Sequence, residues 1–94
     1  MAVRPLSTSD IGARAELLVC ALLISLGYQV FRNVSPAGPA DIVVFKNGKW
    51  LSIDCKAGRN ARYRKCLAMH KALVTDAGQI SFDPPLPSRQ QPKK

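Results

Sequence analysis

Acidic side chains are the scarcest functional class in this 94-residue chain: six Asp and Glu stand against 14 Lys and Arg, for a formal charge of +8. Such a field draws polyanions at long range and weakens in salt, which puts nucleic acid first among the partners to consider. Basicity alone does not decide the matter, since ribosomal proteins and membrane-surface binders are equally basic. Paired cysteines are lacking too. Cys20, Cys55 and Cys66 are odd in number, form no CxxC pair and lie in apolar or regular stretches, so they read as buried thiols of a reducing cytosol. Nor is there a long hydrophobic run: "LLVCALLISLGY" is too short to span a bilayer, and no basic leader precedes it. A soluble, cytoplasmic protein is expected, and a chain of this length with 47% hydrophobic residues supports one compact core.

What is present reads as a single domain over residues 1–83. Residues 1–8 show no periodicity. In "STSDIGARAELLVCALLISLGY" the Ser7 and Asp10 pair forms a capping box, and Gly27 stands where a helix C-cap glycine belongs, so a helix is expected from Thr8 or Asp10 to Leu26. It is apolar on nearly all sides from Leu17 to Ile24, which calls for a sheet beneath it and something more against it. "YQVFRNV" alternates as a strand, and "SPAGPA" is a loop. "NARYRKCLAMHKALVT" repeats apolar residues at helical spacing from Tyr63 to Val74 and predicts a second helix that stops near Gly78. "QISF" is a short last strand. The tail, residues 84–94, holds four prolines and three basic residues and is expected to be flexible. The order αβββαβ gives an α/β domain with a mixed sheet flanked by helices.

The most informative stretch is "GPADIVVFKNGKWLSIDCKAG", residues 38–58. Asn47-Gly48 between apolar strands predicts a two-residue hairpin turn, because both turn residues take positive φ and these two tolerate it best. That turn fixes the register: Lys46 with Lys49, Phe45 with Trp50, Val44 with Leu51, Ile42 with Ile53, and Asp41 with Asp54. Two carboxylates are thus brought face to face, where like charges destabilise a sheet, and Lys56 emerges on the same side as Asp54. A divalent cation with oxygen ligands, Mg²⁺ or Mn²⁺ rather than Zn²⁺, would remove the repulsion. The plainer alternative is a pair of frayed strand ends with Lys56 as local counter-ion. Phe45 and Trp50 are expected to pair across the hairpin inside the core.

These residues resemble the signature of the PD-(D/E)xK nuclease superfamily, with Pro39-Ala40-Asp41 as the first half and Asp54-Cys55-Lys56 as the second. Residues 11–58 resemble small Holliday junction resolvase-like endonucleases, a group whose core is the restriction-endonuclease-like fold. There are two departures: Ala40 stands where the signature has a proline next to the aspartate, and Asp54 stands where glutamate is commoner in resolvases. The resemblance implies a Mg²⁺-dependent endodeoxyribonuclease in which Asp41, Asp54 and the Cys55 backbone carbonyl hold metal. Lys56 would serve the attacking water or the transition-state charge, Glu16 of the first helix would be a further ligand, and Ser35 would lie near the scissile phosphate. Read without the family, Glu16 either reaches water or points at the site, and Ser35 before Pro36 is equally an ordinary turn residue.

Arg14, Arg32, Lys46, Lys49, Arg59, Arg62, Arg64 and Lys65 are candidates for holding the DNA backbone around the site, though each alone reads as a solvated charge. Cys66 and His70 have the i, i+4 spacing of a zinc pair, but no second pair completes a site, and core packing is the better reading. Cutting two strands symmetrically calls for a homodimer. No small-molecule cofactor and no membrane contact are expected. So compact a chain suits a phage or mobile element. The competing reading is a nuclease-fold module that binds nucleic acid without turnover.

Overall fold

The computed structural model describes residues 6–35, 40–57 and 68–87. One helix, α1 (Thr8–Ser25), is followed by five strands: β1 (Gln29–Arg32), β2 (Ile42–Lys46), β3 (Lys49–Ala57), β4 (His70–Val74) and β5 (Ile80–Asp83). The strands form one sheet in sequence order, antiparallel throughout except for the parallel pair β3 and β4. The mixed α/β architecture is thus the one the sequence predicts.

Local chemistry explains both ends of α1. The Ser7 hydroxyl accepts from the Asp10 N–H at 3.1 Å and the Asp10 carboxylate accepts from the Ser7 N–H at 3.3 Å, so two N–H groups that the first turn would orphan are satisfied. At the other end Gly27 takes φ +92°, a conformation that costs a side chain dearly. The hairpin forms as predicted, with Asn47 at φ 53° and Gly48 at φ 80°. Its pairing runs from Lys46 with Lys49 to Ile42 with Ile53.

The core lies between α1 and the sheet. Ala15, Val19, Cys20 and Leu23 meet Ile42, Val44, Leu51, Ile53, Ala72 and Val74, and the alternation of each strand sends these residues to the helix side. Burying Leu23, Ile42 and Ile53 completely contributes on the order of 2 kcal/mol each. The outward side of α1 keeps Leu17 and Ile24 more than half exposed.

The expected second helix is corrected over its C-terminal part. His70–Val74 is a strand, not helix, and residues 58–67 lie outside the described residues. The reason is the length of β3. Its pairing with β2 uses only Lys49–Ile53, and Ile53–Ala57 would be left with open ladder positions unless another strand joined them. Hydrogen-bond satisfaction outweighs the helix preference of Ala, Met, Lys and Leu in this stretch. His70 is core, as expected, but by strand alternation. Its Nδ1 donates to the Pro84 carbonyl at 2.7 Å, an assignment that follows because a carbonyl only accepts. Leu86 also packs against the core, so the chain stays on the domain beyond β5.

Candidate active site at the end of β3

The site arises where β2 starts and β3 runs on. The regular ladder ends at Ile42 and Ile53 and does not extend to Asp41 with Asp54. Instead the Asp41 N–H donates to the Ile53 carbonyl at 3.0 Å, one residue out of register, and its carboxylate Oδ2 accepts from the Cys55 N–H at 2.7 Å. Asp41 thereby stands in for the missing strand beside the second half of β3. Its own position is set from β1. The Asn33 N–H donates to the Asp41 carbonyl at 2.8 Å, Asn33 Nδ2 donates to the Ala40 carbonyl at 3.0 Å, and Asn33 Oδ1 accepts from the Ser35 N–H at 2.9 Å.

Charged groups approach Asp41 from both sides of the sheet. On the face away from α1, Asp54 and Lys56 are ion-paired at 3.4 Å. On the helix side, Glu16 is held by Arg32, whose Nε donates to Glu16 Oε1 at 3.0 Å and whose Nη2 bonds the same oxygen. Partial burial raises the Asp41 carboxyl above the usual range, and the hydrogen bond and charge of Asp54 with the charge of Glu16 push it further, while the Cys55 N–H opposes them. The predicted mutual repulsion of the hairpin acids is therefore present, although the ladder does not carry it. Cys55 directs its thiol into the helix side, where burial first, then Asp41 and Glu16, raise its pKa so that it keeps its proton.

The other candidates scatter. Ser35 is exposed and its N–H is taken up in the turn with Asn33. Arg14 lies against Gly78 in the turn between β4 and β5. Lys46 sits at the far end of β2, about 17 Å from Asp41 by strand rise. There its Nζ donates to the Leu26 carbonyl at 2.7 Å and lies 5.0 Å from the Tyr28 ring centroid, so it caps the helix end. Lys49 is at the same distant end. Arg59, Arg62, Arg64 and Lys65 lie outside the described residues.

Two participants escape the sequence reading. Asn33 pins Asp41, and its only signal is the Asn-x-Ser-Pro pattern of an Asx turn. Lys71, expected on a helix, is buried on β4 directly beside Asp54 in the parallel ladder. Trp50 requires a correction: it pairs with Phe45 at 4.7 Å as expected, but it is 56% exposed rather than core. No helix covers this face among the described residues, so the apolar alternation of the hairpin does not translate into burial.

As a donor set, Asp41 and Asp54 offer hard carboxylate oxygens that repel one another, which suits a hard divalent cation and not a thiolate-seeking one. Among the described residues no three His, Cys, Asp or Glu side chains stand close enough to form a ready cage. Glu16 contributes its field while Arg32 holds its carboxylate.

Neither a protein-family model nor a curated protein sequence matches the chain. Among solved structures it is similar to a bacterial homing endonuclease, I-Ssp6803I, with a TM-score of 0.70 over 82% of this chain and 68% of that one, at 12% sequence identity. The chain has the fold of that endonuclease.

Proposed function

We propose that the protein is a metal-dependent DNA endonuclease, resolvase-like in its compactness, whose site is Asp41, Asp54 and Lys56 with Glu16. The observation that carries this reading is the convergence of Asp41 and Asp54, with Lys56 beside them, at a strand end left open on one side, in a fold shared with a homing endonuclease. A stable domain has no structural use for carboxylates that repel one another in a half-buried position.

Asp41 and Asp54 are the residues that would hold Mg²⁺, or Mn²⁺ in its place, with Glu16 and the Cys55 carbonyl as the further oxygens. When bound, such an ion polarises the scissile phosphate and lowers the pKa of water. The rest belongs to the chain. The Cys55 N–H fixes the Asp41 carboxylate, and Asn33 fixes its backbone, so the first carboxylate is preorganised. Lys56 sits beside Asp54 with its side chain about one-third exposed, placed to stabilise charge that builds on the phosphate oxygens. Arg32, bound to Glu16, sits on the helix side of the site, where it would meet a neighbouring phosphate. Arg14, Arg59, Arg62, Arg64 and Lys65 are the further cations proposed to hold the DNA backbone, and two copies would cut both strands.

The test is incubation of the purified chain with a labelled four-way junction and the matching linear duplex, in Mg²⁺ or in EDTA. Metal-dependent cutting supports the reading, and preference for the junction supports the resolvase-like form. The engagement of Glu16 by Arg32 favours one alternative, a nuclease-fold module that binds DNA without turnover. Tight binding with no cutting in Mg²⁺ or Mn²⁺ would establish it.

A further inference from the structure

The face of the sheet away from α1 carries an aromatic patch that the catalytic reading leaves unused. Trp50 is 56% exposed and Phe31 46%, with ring centroids 5.7 Å apart, and Phe45 lies 4.7 Å from Trp50 across the hairpin. Strand alternation places Trp50, Ser52, Asp54 and Lys56 in one line along β3, on one face. Trp50 is four residues from Asp54, about 13 Å at ~3.3 Å per residue.

The size of the patch narrows its occupant. An aromatic side chain buries about 150–250 Å² at most, so two half-exposed rings offer roughly 200 Å². A stable interface between copies needs about 800 Å² from each partner. The patch is too small for a second copy of this chain and suits one or two flat rings. The net charge of +8 draws a polyanion to the molecule, and nucleobases are the flat rings a polyanion carries. In a duplex both faces of a base are covered by its neighbours, so only an unpaired base has a free face to offer.

We propose that Trp50, supported by Phe31 and Phe45, is a stacking platform for an unpaired nucleobase of a DNA strand whose backbone passes Asp54 and Lys56. This rests on the nuclease reading and adds the substrate class: DNA with an unpaired nucleotide a short distance from the cut, as at a branch, flap or loop.

Trp50 is the only tryptophan, so its emission reports the patch directly. The full chain is titrated in EDTA with a short oligothymidylate and with a blunt duplex of the same length. The expected result is strong quenching by the oligothymidylate and little by the duplex. Trp50→Ala weakens oligothymidylate binding about tenfold or more, while Trp50→Phe retains most of it. Binding without quenching, and unchanged by Trp50→Ala, overturns the platform and leaves the nuclease reading standing. A blue shift of emission that grows with protein concentration without DNA overturns it in favour of a second copy on the patch. A chain that neither binds nor cuts any DNA overturns both readings together.

Discussion

Replacing Asp41 by Asn is the perturbation that best separates a catalytic carboxylate from a structural one. The Asn carbonyl oxygen still accepts from the Cys55 N–H, so the 2.7 Å bond survives. The new amide donates where the aspartate repelled, toward Asp54. Two full charges ~4 Å apart at an effective dielectric of ~20 repel by about 4 kcal/mol, an upper bound that solvent access and partial protonation reduce. Cross-strand side-chain pairs in sheets are worth at most about 1 kcal/mol, so the realised cost is taken as about that size. The sign with pH follows from the raised Asp41 pKa. A carboxyl whose folded pKa lies above its unfolded value contributes stability below the unfolded value and loses it as pH rises through the folded value. At pH 7 the charged Asp41 therefore destabilises the fold, and at about pH 4, near the unfolded carboxyl pKa, it does so much less. Thermal unfolding in EDTA should show Asp41→Asn melting about 4–8 °C above the wild type at pH 7. The gap should narrow at pH 4, and cleavage should be lost. A variant that melts below the wild type equally at both pH values would refute the reasoning, because Asp41 would then be only a hydrogen-bond anchor.

Other expectations follow from the same geometry. Mg²⁺ should raise the melting temperature of the wild type in a concentration-dependent way and leave Asp41→Asn nearly unmoved, a difference that differential scanning fluorimetry reads. Asn33→Ala loses two side-chain hydrogen bonds at the loop ends and should cost about 1–2 kcal/mol in urea unfolding, with cleavage falling more than substrate affinity because Asp41 is displaced. Lys46→Met removes the cap on the Leu26 carbonyl and should cost about 1 kcal/mol, while the salt dependence of DNA binding stays as in the wild type. Loss of one phosphate contact in that salt slope would instead return Lys46 to the DNA surface.

Much of the fold is legible because its signals are local. The Ser7 and Asp10 box, Gly27 and the Asn47-Gly48 turn each require a particular backbone chemistry, and each is where the sequence puts it. The hairpin register, which brings Asp41 near Asp54, follows from two turn residues alone. What is not legible depends on partners distant in sequence. β4 is hidden because Ala, Met, Lys and Leu favour helix, while the demand that overrides them comes from the unpaired half of β3. The exposure of Trp50 depends on which sheet face is covered, and an apolar hairpin is silent on that. The grip of Arg32 on Glu16 joins residues 16 positions apart, and nothing in either local pattern announces it.

The central claim, that the open end of β3 is a phosphodiester-cutting site, is tested most directly by single-turnover cleavage of a labelled four-way junction in Mg²⁺ by the wild type, Asp54→Ala and Lys56→Met, with folding of each checked by circular dichroism. The account predicts cutting by the wild type and its loss, on the order of a hundredfold or more, in both folded variants. Folded variants that cut at the wild-type rate would contradict it.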